Sequence, residues 1–236
     1  MTAADPSHTA PAEPSFATCP IGVLLCPFPS GIEALQKEIE QLNLQIGTDA
    51  LTGVANYCSF VEALELEVER SQRNGRPTSL LMIDIDHFKK VNDINGHEIG
   101  NQALIHVAKL ISGQVRKLDV VCRYGGEEFA VVFPDTDLPA AIPVSDRIRL
   151  AIAETPLHHS ELQLKLTASL GLATYQPYSL TSASEVISQA DHYLYKAKQS
   201  GRNRLCHTDV SSTKDISNEE KQALFHLFGR GAKTKD

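Results

Sequence analysis

Residues 123–129 read Arg-Tyr-Gly-Gly-Glu-Glu-Phe, and this stretch decides how the surrounding chain folds. Short apolar runs flank it at residues 120–123 and 128–133. Two short strands joined through a pair of glycines predict a β-hairpin. Glycine lets the backbone turn sharply and approach a ligand closely, and two acids next to it add chemistry that a bare Gly-Gly turn lacks. The sequence therefore places two carboxylates, Glu127 and Glu128, beside the tip of a hairpin.

A second pair of acids, Asp84 and Asp86, ends an apolar run that begins at residue 78 and fits a buried strand. Side chains alternate along a strand, so we expect both acids on one face. A carboxylate at the end of an apolar strand is costly unless a cation meets it. Hard divalent ions such as Mg²⁺ often use one or two carboxylates together with substrate phosphates. If the strand end and the hairpin converge, the two acidic pairs predict a metal site; surface charge at loop ends is the alternative for either pair alone.

The remaining periodicity predicts an α+β domain with a mixed sheet, because helices and strands alternate while one strand pair is a tight hairpin. Apolar spacing of three and four residues predicts the helices, and short apolar runs predict the strands. The predicted helices span residues 56–74, 98–114, 138–153 and 185–199, and the further predicted strands span residues 78–84, 164–174 and 203–206.

The hairpin motif resembles the signature of the GGDEF family of diguanylate cyclases, in the common form that reads Gly-Gly-Glu-Glu-Phe. The resemblance extends in the expected order from residue 49 to residue 206. Further matching segments are Asp-Ala-Leu-Thr-Gly at 49–53, Asp-Ile-Asp-His-Phe-Lys-Lys-Val-Asn-Asp at 84–93, Gly-His at 96–97, Ser-Leu-Gly at 169–171, and Ala-Asp, Leu-Tyr, Ala-Lys and Gly-Arg-Asn between 190 and 203. This resemblance implies a nucleotidyl-cyclase-like, palm-like fold: a mixed five-stranded sheet flanked by helices and preceded by an N-terminal helical stalk.

The resemblance also implies roles for individual residues. Asp84, the Ile85 carbonyl and Glu127 match the positions that hold two Mg²⁺ or Mn²⁺ ions per GTP half-site, and Glu128 matches a position that supports metal binding or activates the 3′-hydroxyl. Asp84, Glu127 and Glu128 are thus the expected catalytic residues. Lys89, Lys198 and Arg202 match phosphate-contacting positions, and Asn92 matches a guanine-reading position. The full set of expected substrate-binding residues is Phe88, Lys89, Asn92, His97, Asn101, Gly125, Gly126, Lys198 and Arg202.

The activity that the resemblance implies is the condensation of two GTP molecules into cyclic di-GMP, with release of two pyrophosphates. Each domain of the family resembles half a site, so a homodimer is expected, and proximity would carry much of the rate gain. Two alternatives stay open. The chain could be a catalytically silent receptor for cyclic di-GMP, although it retains the acids and glycines of the motif, or a structural dimerisation scaffold.

Arg116 and Asp119 stand at the spacing of the family's product-inhibition motif, Arg-x-x-Asp, five residues before the Gly-Gly turn. Arginine pairs bidentately with phosphate or guanine, and an aspartate accepts hydrogen bonds from guanine. We expect Arg147 to supply a second cation at this allosteric site. A salt bridge at the end of a helix is the alternative reading of the pair.

Asn101 departs from the family pattern, in which an aspartate follows the Gly-His segment. A carboxylate only accepts hydrogen bonds, whereas an amide both donates and accepts. Asparagine pairs with adenine through two hydrogen bonds in nucleic-acid complexes. The sequence therefore predicts a preference for GTP with better tolerance of ATP than an aspartate would give.

The ends of the chain differ in composition from the predicted catalytic domain at residues 48–207. Residues 1–29 are rich in proline and small polar residues and are expected to form a disordered arm. Residues 30–47 predict a helical stalk with apolar residues at steps of three and four, which favours a dimerising coiled coil over a helix packed on its own domain. Residues 208–236 are polar and predict a mobile tail. The heptad positions are Ile32, Leu35, Ile39, Leu42 and Ile46.

Composition narrows the functional class. The net charge of −7 argues against broad nucleic-acid binding, which needs a basic face. Five cysteines without a Cys-x-x-Cys pair indicate a reduced, cytoplasmic protein. No apolar stretch is long enough to span a membrane. The segment before Asp49 is too short for a sensory domain, so we expect a separate regulatory protein to dock on the arm or stalk.

Overall fold

The computed structural model describes residues 47–160, 162–178 and 181–208. The predicted arm, the heptad positions of the stalk and the tail beyond residue 208 lie outside these residues. The catalytic domain predicted at residues 48–207 lies within them apart from three positions.

Four helices and seven strands make up the described part of the chain. In chain order they are α1 (Tyr57–Asn74), β1 (Thr78–Ile85), α2 (Phe88–Gln114), β2 (Val120–Arg123), β3 (Glu128–Phe133), α3 (Leu138–Glu154), β4 (Leu157–His159), β5 (Leu162–Leu164), β6 (Ala168–Tyr175), α4 (Ala183–Gln199) and β7 (Leu205–His207). None of these four helices is both long enough and apolar enough to cross a membrane.

Five strands form one sheet in the order β2-β3-β1-β6-β7. The pairs β2–β3, β3–β1 and β1–β6 are antiparallel, whereas β6 and β7 are parallel. The predicted mixed five-stranded sheet and the predicted hairpin are therefore confirmed. Strands β4 and β5 pair separately as a short antiparallel ribbon.

The central strand β1 is buried along its whole length because helices cover both faces of the sheet. Leu81, Ile83 and Ile85 pack with the apolar residues of α2 and α3. Leu80 and Met82 pack on the opposite face with those of α1 and α4. A strand covered on both sides reads as a continuous apolar run, which explains why residues 78–84 gave a clear signal.

Two sequence predictions had the wrong boundaries. The helix expected to begin at residue 98 begins at Phe88, and Gly96 interrupts it with φ 83° and ψ 162°. Only Phe88 is buried among the eight residues before Gly96, and half of them are exposed, so this short segment gives a weak helix signal by itself. The single strand expected at residues 164–174 is instead two strands, since Leu162–Leu164 pairs with β4 and only Ala168–Tyr175 joins the main sheet.

Gly171 sets the distance between β6 and α4. A Cβ atom at this position would lie 2.1 Å from the Ala190 carbonyl oxygen and 2.2 Å from the Leu194 nitrogen. Both contacts are with backbone atoms, which cannot swing away. The helix therefore packs directly on the backbone of the strand, and its last turn, which carries Lys198, lies over the end of β1.

Candidate active site

The strand end and the hairpin converge as the sequence predicts. In the antiparallel pairing, Asp84 stands opposite Glu128 on β3 and opposite Ser169 on β6. The Ile85 amide donates a hydrogen bond of 3.3 Å to the Glu127 carbonyl oxygen. The structure thus brings Asp84, Ile85, Glu127 and Glu128 together where β1 ends and β3 begins. We call this part of the sheet the acidic edge.

The glycine turn leaves room for the Glu128 carboxylate. The amides of Tyr124 and Gly125 both donate to the Glu128 carbonyl oxygen, at 2.8 and 3.3 Å, which closes the hairpin. A Cβ atom on Gly125 would lie 3.0 Å from Glu128 Oε2, while one on Gly126 would meet open space. Neither glycine has a positive φ. Space for a side chain and access from solvent, not an unusual backbone angle, are what these two glycines provide.

The acids of this edge are held near positive charge. Lys198 Nζ donates a hydrogen bond of 2.7 Å to Asp84 Oδ2. Burial nevertheless raises the pKa of Asp84, and Lys198 and Arg202 offset only part of that effect. The pKa of Glu128 is also raised, first by burial and then by the negative charge of Asp84. A site that resists ionisation of its own acids is one that an added cation would stabilise.

The donor set fits a hard divalent ion that also binds its substrate. The acids offer carboxylate oxygens, and the backbone at Ile85 offers a carbonyl oxygen. In the part of the chain that the structure describes, no cluster of three or more His, Cys, Asp or Glu side chains is arranged to hold a metal by itself. Mg²⁺ commonly keeps one or two carboxylates and completes its shell with phosphates and water, so this sparse set suits it.

The predicted substrate-binding residues between Phe88 and Asn101 lie on both sides of the break at Gly96. A Cβ atom on Gly100 would lie 1.8 Å from Asn92 Oδ1 and 3.4 Å from the Phe88 ring. Phe88, Asn92 and Gly100 are therefore in contact across the break. Lys89, His97 and Asn101 are exposed on the same stretch of chain.

Arg123 has no role in the sequence analysis, but it ties the glycine turn to Asp49. We call the pair of Arg123 and Asp49 the brace. Arg123 donates through Nη2 and Nε to the Gly126 carbonyl oxygen, at 2.8 and 3.2 Å. The same guanidinium forms an ion pair of 3.2 Å with Asp49, and the two side chains are 19% and 22% exposed. Burial would raise the pKa of Asp49, but hydrogen bonds from Thr52 and the charge of Arg123 together hold it below its usual value.

Two residues of the predicted inhibitory site, Arg116 and Asp119, contact each other at the opposite end of β2. Asp119 Oδ2 accepts a hydrogen bond of 2.7 Å from the Arg116 amide, and the Asp119 amide donates to the Arg116 carbonyl at 3.0 Å. Arg147 donates to the Gln114 carbonyl oxygen, two residues before Arg116. Among the described residues these two side chains form no ion pair, and the Asp119 carboxylate accepts from the backbone of Arg116 instead. Burial raises the pKa of Asp119.

Cys122, in the hairpin that carries the two glutamates, offers no competing chemistry. Cys122 is buried in β2, and burial raises the pKa of its thiol to about 12. Thiolate is the reactive form of cysteine, so this group is inert near neutral pH.

Comparisons with known proteins agree with the fold and the motif. Residues 46–204 match the family described as diguanylate cyclase, GGDEF domain. The chain is 38% identical over 173 residues to the diguanylate cyclase DgcP of Pseudomonas aeruginosa, and this match covers 73% of the chain and 26% of DgcP. The chain thus spans about a quarter of the length of that relative.

Two solved structures resemble the described fold. The coiled coil and GGDEF domain of DgcB from Caulobacter crescentus, in complex with c-di-GMP, superposes with a TM-score of 0.66 at 31% identity, covering 76% of this chain and 94% of that one. The diguanylate cyclase SiaD of Pseudomonas aeruginosa, in complex with its activator SiaC, superposes with a TM-score of 0.66 at 34% identity, covering 76% and 70%.

Proposed function

Because the chain belongs to the GGDEF family of diguanylate cyclases, we propose that it joins two GTP molecules into cyclic di-GMP and releases two pyrophosphates. The observation that carries this proposal is the meeting of Asp84 and Ile85 at the end of β1 with Glu127 and Glu128 of the hairpin. Glu127 and Glu128 belong to the hairpin motif and Asp84 and Ile85 to the second matching segment, and the pairing of β1 with β3 supports a shared site.

In the proposed reaction, the 3′-hydroxyl of one GTP attacks the α-phosphate of the other and pyrophosphate leaves; a second such step closes the ring. Mg²⁺ or Mn²⁺ held by Asp84, the Ile85 carbonyl and Glu127 would neutralise phosphate charge and lower the pKa of the attacking hydroxyl. Lys198 and Arg202 would bind the triphosphate as cations, and Lys198 would exchange Asp84 for phosphate. Glu128 would accept the hydroxyl proton, and the rise of its pKa by burial and by Asp84 supports this role.

Each domain supplies half of the reacting pair, so the proposal requires two copies facing each other. The heptad seam of the stalk would hold them at high effective concentration. The similarity to DgcB, whose solved structure includes a coiled coil beside the domain, supports this arrangement. We propose a cytoplasmic homodimer on this basis.

Product inhibition is proposed for the corner formed by Arg116, Asp119 and Arg147. The two guanidinium groups are exposed, and the structure of DgcB holds c-di-GMP. A phosphodiester ring with guanine bases offers the acceptors and donors that arginine and aspartate recognise.

Control by a separate protein is proposed for the N-terminal segment. The relative SiaD has been solved with an activator, SiaC, so a cyclase of similar fold does take a protein partner. Docking of such a partner on the arm or stalk would shift the domains towards a productive pairing.

The direct test is to incubate the pure full-length protein with GTP and Mg²⁺ and identify the product by mass. Formation of cyclic di-GMP and pyrophosphate is expected. The matched controls are Glu128→Gln and omission of the divalent ion. Binding of cyclic di-GMP without turnover would instead indicate a silent receptor, and absence of both would leave a scaffold.

Base selectivity is a separate prediction that concerns Asn101. Its exposed amide both donates and accepts, so the wild type should use ATP better than Asn101→Asp does, by roughly fivefold in relative kcat/KM. Competition between GTP and ATP, with the dinucleotides identified by mass, measures the ratio. Identical selectivity of the two proteins would exclude a role for this substitution.

A further inference from the structure

Asp86 follows β1 directly and is only 6% exposed. Its Oδ1 accepts a hydrogen bond of 2.7 Å from Ser169 Oγ. Its Oδ2 accepts two hydrogen bonds, from Thr167 Oγ1 at 2.7 Å and from the backbone N–H of Asn203 at 3.0 Å. This backbone N–H is called the Asn203 amide below. In the described part of the chain Asp86 forms no ion pair. Both carboxylate oxygens of Asp86 are therefore bonded to donors of the protein itself. Asp84, two residues earlier in the chain, differs because it forms an ion pair with Lys198.

The Asn203 amide belongs to a turn that the chain does not adopt cheaply. Gly201, Arg202 and Asn203 all have positive φ values, of 108°, 57° and 44°. Side chains other than glycine rarely take this conformation, and it persists only where the surroundings impose it. Two further contacts hold the turn: the Arg202 amide donates to the Ala197 carbonyl at 3.0 Å, and Arg149 donates to Asn203 Oδ1 at 3.2 Å.

This turn carries Arg202 to the acidic edge of the sheet. The charge of Arg202 acts on Asp84, to which Lys198 is hydrogen-bonded. Arg202 is exposed, so packing does not hold its side chain in one place. A long exposed side chain stays near a given place only if its backbone is fixed. The position of its cation thus depends on what fixes residues 201–203.

We propose that Asp86 is a positioning residue that fixes the 201–203 turn through the Asn203 amide, so that Arg202 stays aimed at the triphosphate of the nucleotide. This role rests on the proposed function, since Arg202 is taken there to bind phosphate. Asp86 itself touches neither substrate nor metal in this proposal.

The substitution Asp86→Asn separates this role from simple filling of space. Asparagine has almost the same shape but one acceptor oxygen, and its amide nitrogen is a donor. The hydroxyls of Ser169 and Thr167 can turn to accept from the new side-chain amide, whereas the Asn203 backbone N–H can only donate. The variant therefore offers that N–H at best one neutral oxygen in place of a charged one, and hydrogen bonds to a charged acceptor are roughly twice as strong. Ser169→Ala is the matched control, because it removes the donor to Oδ1 and leaves the bond between Oδ2 and the Asn203 amide.

The test is a double-mutant cycle on GTP turnover with Asp86→Asn, Arg202→Ala and the double variant. We expect Asp86→Asn to raise KM for GTP about tenfold with kcat changed less than about threefold, and Ser169→Ala to change KM less than about twofold. In the Arg202→Ala background, Asp86→Asn should raise KM no more than about twofold further. An equal tenfold effect in both backgrounds would mean that Asp86 acts independently of Arg202 and would overturn the proposal.

Hydrogen exchange of the Asn203 amide tests the anchor without relying on catalysis. In the wild type this amide should exchange at least about a hundredfold slower than in an unstructured peptide, and Asp86→Asn should accelerate it at least tenfold. Rapid exchange in the wild type would overturn the proposal even if Asp86→Asn does not fold. If the wild type does not turn over GTP, the proposed function fails by itself. The cycle then compares the binding of Mg²⁺ with inorganic tripolyphosphate to the wild type, the two single variants and the double variant, in place of KM.

Discussion

The two ends of the hairpin β2–β3 are held in different ways. At the turn, residues 124–128 are tied to three other parts of the fold: to β1 through the Ile85 amide, to the segment at Asp49 through Arg123, and to α1 through the Tyr124 ring. The centroid of that ring lies 5.2 Å from the centroid of Tyr57 and 5.5 Å from that of Phe60, both in T-shaped arrangements. At the other end, residues 116–119 close on themselves through two hydrogen bonds between Arg116 and Asp119. A site that performs chemistry needs several elements fixed together, whereas a corner that binds a ligand can be encoded by a short local motif.

The charges at the two ends differ as well. At the turn end the pKa values of Asp84 and Glu128 are raised, and the nearby cations are Lys198 of α4 and Arg202 just after it. The corner presents two exposed guanidinium groups beside one carboxylate. The first arrangement attracts a cation and the second attracts an anion, so substitutions at the two ends should affect different measurements.

The largest contrast is expected from Glu127→Gln. Loss of a metal-binding carboxylate at the turn should reduce cyclic di-GMP formation roughly a thousandfold, because the triphosphate loses its neutralising charge. Thermal unfolding should change little, since Glu127 is partly exposed. Steady-state product formation by chromatography measures the effect. A loss smaller than tenfold would contradict the placement of a metal at this end.

The brace beneath the turn comes next in size. Arg123→Gln removes the ion pair with Asp49 and the bonds to the Gly126 carbonyl, and it should cost about 2 kcal/mol of stability and about tenfold to a hundredfold in kcat. Arg76→Gln is the matched control, because the Arg76–Asp135 pair is 67% and 47% exposed and should contribute less than about 1 kcal/mol. Urea unfolding and turnover at saturating GTP give both quantities. Equal destabilisation by the two substitutions would mean that the brace does not support the turn.

At the corner, Arg116→Ala should weaken inhibition by cyclic di-GMP about tenfold and leave the rate at low product unchanged, because one phosphate-binding cation is lost. Lys117→Ala is the matched control, since Lys117 is the neighbouring exposed cation but lies outside the motif. The inhibitor concentration that halves the rate is the measurement. Inhibition that responds equally to both substitutions would reduce the corner to a general electrostatic effect.

The smallest expected effect is on stability, and it has the opposite sign. The folded pKa of Glu128 is raised above its ordinary value, chiefly by burial. Above that folded pKa the charged form opposes folding, and below the ordinary value both states are protonated and the effect disappears. Glu128→Gln should therefore be more stable than the wild type at pH 8 without divalent ions, although it is inactive. Urea unfolding across a pH series should show the gain shrinking as the pH falls through this window; a gain independent of pH would point to packing instead.

The sequence predicted what depends on local pattern. The strand β1, the hairpin and the mixed sheet followed from an apolar run and a glycine pair. The helix start at Phe88 was missed, because residues 88–95 form a short segment in which only Phe88 is buried, and Gly96 interrupts the helix. Contacts between distant residues were beyond periodicity altogether: Arg123 meets Asp49 across 74 positions and Lys198 meets Asp84 across 114. The resemblance implies that Lys198 contacts phosphate, whereas its ion pair with Asp84 emerges only from the fold.

The close contact at Gly171 limits how the site can respond to a ligand. Backbone atoms of α4 lie against this glycine, so the helix has no slack in which to slide or tilt towards the sheet. If a cation and a triphosphate bind as proposed, the ammonium group of Lys198 would leave Asp84 by rotation about its own side-chain bonds. The exchange of partners would then need the motion of one side chain and no slower hinge movement.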